Sequence, residues 1–269
     1  RLKVIQLLSL AGELDQVVQH YEQLIRFAPH NPEYVFRLAE THLSRGDRKA
    51  ALATLDRLGG RAELDEDMLA ALVEFYERLD EGPRALQLLE ELAKGGGERH
   101  LIELGDRYYA QGDQERALKT WQRIAQGKGA DAPRALHALG EVYLEHDMPE
   151  KALEALKRAM DLEPNDIKYK KSYALALERS GAAAASREQR SQQYGDAQRL
   201  WEQMLERASR ERDGNLAREA RQHIVTLWGL TGTLEQRADS LTRRLEQKPP
   251  DLEAGRLLVY RAACLKAAG

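Results

Sequence analysis

Three side chains that could bind a metal ion lie at helical spacing near the middle of the chain. His137, Glu141 and Glu145 occupy positions i, i+4 and i+8, which puts an imidazole and two carboxylates on one face of a helix. A zinc site needs at least three ligands, each held by further hydrogen bonds, and no second histidine falls at a matching place. The pattern favours a helix with solvated carboxylates, and we predict that the chain binds no metal and no cofactor.

Sequence motifs of catalysis and phosphate binding are missing. The chain has no HExxH, no GxSxG and no GxxxxGK[ST]. The glycines of "AKGGGERH", Gly95 to Gly97, lack the following Lys-Ser/Thr and a preceding strand, so they predict a turn between helices. Trp121, Trp201 and Trp228 could stack on bases or sugars, but their periodic apolar surroundings favour core packing. We predict that the chain is not an enzyme and has no catalytic residues.

The composition is that of a folded, helix-rich protein. Of 269 residues, 42% are hydrophobic and 32% charged, good helix formers dominate, and long Val/Ile runs are missing. No apolar run approaches the roughly 20 residues that would cross a bilayer. The single cysteine, Cys264, excludes an internal disulfide and predicts a small buried apolar side chain. Both a cytoplasmic and a periplasmic location stay open.

Charge is distributed unevenly along the chain. Residues 1–164 contain 22 Lys/Arg and 30 Asp/Glu, whereas residues 165–269 contain 19 and 14. Helical proteins that bind nucleic acid need a basic groove, so the acidic first part disfavours that function. The simplest interpretation of the two opposite balances is solvated helix faces.

A small residue followed one turn later by a large apolar one recurs along the chain, as in "GDQERALKTWQRI". The intervals between the small residues are 34, 34, 32 and 35. The small residues are Val17, Ala51, Ala85, Ala117 and Ala152, and the large ones are Tyr21, Leu55, Leu89, Trp121 and Leu156. A preceding helix carries "LAETH", "LVEFY", "LGDRY" or "LGEVY". The chain is therefore predicted to repeat a helix-turn-helix unit of about 34 residues.

These units resemble tetratricopeptide repeats. The resemblance covers residues 1–164, with a truncated first repeat, Gly-Asp turns at Gly46 and Gly112, and closing prolines at Pro29 and Pro164. It implies an all-α, right-handed α-solenoid of stacked helix pairs. In such proteins the first helices of the repeats line a concave groove that binds segments of other proteins.

The pattern weakens in residues 165–269, which we interpret as degenerate helical repeats continuous with the first part. The small residue recurs only at Ala197, 45 residues after Ala152, so an insertion is predicted near residues 182–195. Its Ala, Arg and Gln content is compatible with an extended helix or with a polar loop. Further helices are predicted in "NLAREARQHIVTLWGL", in "TLEQRADSLTRRLEQ" and from Leu252 to Leu265.

Four successive first helices carry a carboxylate as the third residue of the segments "LAETH", "LVEFY", "LGDRY" and "LGEVY". The four are Glu40, Glu74, Asp106 and Glu141. The resemblance implies that they line the groove, where their field would favour a basic or amphipathic partner segment. Some family members grip a C-terminal carboxylate with Lys and Asn, but here these acids occupy the Asn places. Acidic residues also suit any exposed helix position.

The predicted function is a scaffold for protein–protein interaction. Its partner is predicted to be a protein or peptide, possibly basic, and not a nucleic acid, and no membrane span is predicted. The alternative is a structural spacer or a regulatory repeat array within a larger multidomain protein. The oligomeric state stays open.

Overall fold

The computed structural model describes residues 1–29, 31–58, 64–126, 132–247, 258–260, 262–263 and 266. In this part of the chain the regular structure is entirely helical, and the fold is an all-α helical-repeat solenoid. Two compact units divide the chain, an N-terminal unit, Arg1–Thr120, and a C-terminal unit, Trp121–Gly269. Cys264, the Pro249-Pro250 pair and most of the helix predicted from Leu252 to Leu265 lie outside the described residues.

Fourteen α-helices are described. They are α1 (Leu2–Leu10), α2 (Leu14–Phe27), α3 (Pro32–Ser44), α4 (Arg48–Leu55), α5 (Glu66–Arg78), α6 (Gly82–Lys94), α7 (Glu98–Ala110), α8 (Gln114–Gln122), α9 (Ala132–Glu145), α10 (Pro149–Leu162), α11 (Ile167–Ala183), α12 (Arg187–Glu211), α13 (Gly214–Leu230) and α14 (Leu234–Gln247). Short 3₁₀ turns follow α4 at Asp56–Leu58 and α8 at Arg123–Gln126. Residues 258–260, 262–263 and 266 are also helical.

Polar residues just before the helices fix where several of them begin. Asp47 accepts a hydrogen bond from the Ala50 amide at 2.9 Å, and Asp65 accepts one from the Met68 amide at 2.8 Å. Such caps satisfy amides that have no partner inside the helix. The predicted turn at Gly95 to Gly97 is confirmed, because it separates α6 from α7.

The core of the N-terminal unit follows the predicted register. Its four small positions are all buried, and so are Leu38, Leu72 and Leu104 of the preceding first helices. The small residues are Val17, Ala51, Ala85 and Ala117. The helices pack on their sequence neighbours, as α3 does on α2 and α4. Small side chains allow this close approach, and large neighbours fill the remaining space.

In the C-terminal unit the same register surrounds fully buried Trp121. Its ring meets Tyr143 edge-on at 6.3 Å and stacks on His146 at 4.5 Å. A methyl group at Gly140 would lie 2.6 Å from Cδ2 of Leu156, so only glycine fits where α9 meets α10. The same arrangement recurs at Gly181, which faces the Tyr194 ring.

The predicted insertion coincides with two long helices, α11 with 17 residues and α12 with 25. It extends both helices, which an Ala, Arg and Gln-rich sequence favours. Ala197, Trp201 and Met204, the apolar positions of the displaced register, are completely buried. The predicted division at residue 164 stays a prediction.

Candidate protein-binding surface

The four predicted carboxylates lie on first helices of successive repeats. Glu40 is on α3, Glu74 on α5 and Asp106 on α7, all in the N-terminal unit, and Glu141 is on α9 of the C-terminal unit. Each follows a buried small or apolar position, so each lies at the border between core and solvent. Glu74 is exposed and the other three are half-buried.

Glu40 is surrounded by two arginines that the sequence pattern did not predict. Its carboxylate lies 3.6 Å from Arg37 Nη1 on its own helix and 3.8 Å from Arg78 Nη1 on α5. These separations are long and the three side chains are about half exposed, so the pairs add little stability. They do offset the charge of Glu40.

An aromatic pair lies beside this ionic group. The rings of Phe36 and Phe75 stack at 5.6 Å, and the Arg78 guanidinium lies 5.3 Å from the Phe75 centroid. Phe36 precedes Glu40 by one helical turn, and Arg78 follows Glu74 by one turn. This spacing is present in the sequence, but it becomes informative only when α3 and α5 are known to be adjacent.

Glu74 differs from Glu40 in its surroundings. Among the described residues no Lys, Arg or His lies within ion-pair distance of its carboxylate. Its charge is therefore exposed to solvent and to any approaching partner.

Glu141 lies in a different environment, in the C-terminal unit. Nε2 of His137 is 3.5 Å from its carboxylate and 2.9 Å from the Ser172 hydroxyl. The His137 ring is buried and packs against Tyr169 at 5.2 Å. This histidine thus belongs to the core, and the described residues contain no group of three or more side chains placed to bind a metal.

The tryptophans are core residues, as predicted. All three are buried, and Trp201 Nε1 donates to the Glu178 carboxylate at 2.5 Å. Glu178 also lies 2.9 Å from Nδ1 of His223, whose ring stacks on Trp201 at 4.1 Å. The hydrogen bond to Glu178 compensates for burying the indole N–H of Trp201.

In the part of the chain that is described, no helix is long and apolar enough to span a membrane.

Comparison with known proteins supports the class of helical-repeat proteins. The C-terminal part of a TPR repeat-containing protein from Cytophaga hutchinsonii is 12% identical, with 96% of this chain and 99% of that chain covered at a TM-score of 0.51. A tetratricopeptide repeat protein from Parabacteroides merdae (16% identity, 93% and 87% covered, TM-score 0.43) and pilF of Pseudomonas aeruginosa (17%, 84% and 96%, 0.41) are also similar. The similarity to the Cytophaga hutchinsonii structure supports the assignment of the all-α repeat fold. No curated protein sequence matches the chain.

Family models make the assignment specific. Tetratricopeptide repeat models match residues 8–72 and residues 133–166. These two segments of the chain are therefore tetratricopeptide repeats, as the sequence pattern predicts. At the general level such repeats make it a scaffold for protein–protein interaction, and the family and fold are typically non-catalytic.

Proposed function

We propose that the chain is a non-enzymatic scaffold that binds a basic or amphipathic segment of a partner protein. The proposed acidic surface consists of Glu40, Glu74 and Asp106 on α3, α5 and α7 of the N-terminal unit. Glu141 holds the same repeat position in α9 of the C-terminal unit and is proposed to contact a partner there independently.

The observation that carries this proposal is the stack of half-buried Phe36 on Phe75, with Glu40 one helical turn after Phe36 and the exposed Glu74 on the neighbouring helix α5. A lysine or arginine of the partner could pack its aliphatic stem on the exposed part of Phe36 and direct its charge to a carboxylate. Exposed carboxylates also attract a basic partner before contact, which raises the association rate.

The carboxylates are expected to contribute unequally. Glu40 is already within 4 Å of two arginines, whereas Glu74 has no such compensation among the described residues. Glu74→Gln should therefore weaken binding more than Glu40→Gln does. Arg78→Gln should strengthen binding, because it removes a cation that competes with the partner.

A labelled 15-residue amphipathic peptide of leucine and lysine tests the proposal by fluorescence anisotropy. Replacing Glu40, Glu74 and Asp106 by their amides should weaken its binding about tenfold, mainly through the association rate, if the three charges contribute on average about 0.5 kcal/mol each. The effect should shrink at high salt. Glu141→Gln alone tests the C-terminal unit.

A charge-matched control comes from the second helix α10 and the residue after it. Glu150, Asp161 and Glu163 are exposed, and changing them to amides alters net charge equally. If this control weakens binding as much as the surface variant does, the effect is one of net charge and the proposed surface is wrong. If the peptide does not bind at all, the structural spacer becomes the better interpretation.

A further inference from the structure

A second surface, of opposite charge, lies in the C-terminal unit. It is an open groove of about 600 Å³ between α13 and the helical residues near position 260. The α13 side is formed by Arg218, Arg221, Gln222, Val225 and Thr226, and the other side by Val259, Ala263 and Lys266. Both sets follow helical spacing, so two helix stripes face each other across the groove.

Among the described residues that line the groove, the charged side chains are all cationic. Arg218, Arg221 and Lys266 line it, and no carboxylate does among the described residues. These three cations have no ion-pair partner in the described part of the chain. Glu219, the acid next to Arg218, is already paired with Lys171 at 2.6 Å.

The floor of the groove is aliphatic. Val225, Val259 and Ala263 line it, and 51% of the Val259 surface is exposed to solvent. Thr226 donates its hydroxyl to the Gln222 carbonyl at 2.9 Å, so this polar side chain is satisfied within its own helix. The groove therefore offers an apolar strip bordered by unpaired positive charge.

We infer that this groove binds an acidic amphipathic segment of a partner protein, with apolar side chains on the Val225–Val259 floor and carboxylates on Arg218, Arg221 and Lys266. Charge complementarity selects the acidic partner. A helix with apolar residues at i, i+4 and i+7 matches the strip between the two stripes. Single-stranded nucleic acid fits less well, because the described lining has no aromatic ring on which a base could stack.

The test uses the full 269-residue chain and a labelled 15-residue helical peptide of leucine and glutamate, with leucines at i, i+4 and i+7. Binding is followed by fluorescence anisotropy. The double variant Arg218→Glu/Arg221→Glu should weaken binding at least tenfold. Val259→Ser should weaken it severalfold, since the aliphatic floor is partly removed.

Arg187→Glu/Arg243→Glu is the matched control. Both arginines are exposed on helices of the same unit, lie outside the groove lining and have no ion-pair partner among the described residues. The control should bind within twofold of the parent, and circular dichroism melts should show that all variants stay folded. Equal loss in the control, or no binding by the parent, would overturn the inference.

Two further probes identify the ligand class. A glutamate peptide without leucines should bind at least tenfold more weakly; equal binding would show that the floor has no role and would contradict the inference. A single-stranded RNA oligonucleotide that binds more tightly than the leucine–glutamate peptide and loses affinity in the Arg218/Arg221 variant would assign the groove to nucleic acid instead. These outcomes are independent of the acidic surface, which is tested with a basic peptide.

Discussion

Glycine at position 140 permits the close contact between α9 and α10. Gly140→Ala should destabilise the protein by about 1–3 kcal/mol, because the new methyl group would overlap Leu156. Urea unfolding measures the change. Gly195→Ala is the matched control: Gly195 lies in α12 with no atom within 4 Å of an added methyl. That substitution should stabilise by about 0.5–1 kcal/mol, and destabilisation by both would refute the packing argument.

His42 should make the N-terminal unit sensitive to acid. Burial lowers its pKa below the ordinary value of 6.5, and its buried Nδ1 has no hydrogen-bond partner. The unfolded chain therefore binds a proton more readily, so stability is complete above pH 6.5 and falls as the pH drops through the folded-state pKa.

His42→Tyr tests the contribution of this histidine. Tyrosine occupies the equivalent position at Tyr76, Tyr108 and Tyr143. The free energy of unfolding from urea melts at pH 8, 6 and 5 should fall less in the variant than in the parent. Identical pH dependence in the two proteins would show that His42 does not change its protonation between pH 8 and pH 5.

At the scale of the helices, the same type of turn follows most of the first helices of the repeats. The left-handed residue of this turn is Gly46, Asp80, Gly112 or Asp147. In each case its amide donates to the carbonyl three residues earlier, at 2.9–3.3 Å, and the next amide donates back across five residues. This is the Schellman geometry, which favours glycine because a Cβ is strained there.

Asp147→Gly should therefore stabilise the protein by about 0.5–1 kcal/mol, measured as a rise in the thermal midpoint. Asp80→Gly should gain less, since Asp80 also pairs with Arg48. Gly112→Ala, which adds a Cβ at the same turn position, should destabilise. A loss of stability in Asp147→Gly would mean that the Asp147 side chain stabilises the protein by more than its left-handed backbone conformation costs.

The helices were predictable from the sequence because their pattern is local. Residues three or four apart form each buried face, so Ala117, Ala152 and Ala197 could be placed without a structure. The patch around Glu40 was not predictable, because Arg78 is 38 positions away and reaches Glu40 only through the side-by-side packing of α3 and α5. The helical spacing of Arg218 and Arg221 is visible in the sequence. That Val259 and Ala263 lie opposite them across a groove is not, because this depends on how the two helices pack.

At the scale of the whole chain, neighbouring helices supply most contacts, so fragments should fold when they end between helix pairs. Residues 1–164 end after α10 and keep the α9–α10 pair and Trp121. This fragment should show a cooperative thermal melt and a helical circular dichroism spectrum per residue close to that of the full chain.

Residues 1–120 provide the contrasting fragment. They coincide with the N-terminal unit but end inside α8, so the last two residues of that helix, the fully buried Trp121 and Gln122, are lost. This fragment also lacks the α9–α10 pair, so fewer neighbouring helices remain to stabilise one another and it should melt below residues 1–164. Equal midpoints for the two fragments would show that completing α8 is unimportant, and a non-cooperative melt of residues 1–164 would contradict the repeat-by-repeat account of stability.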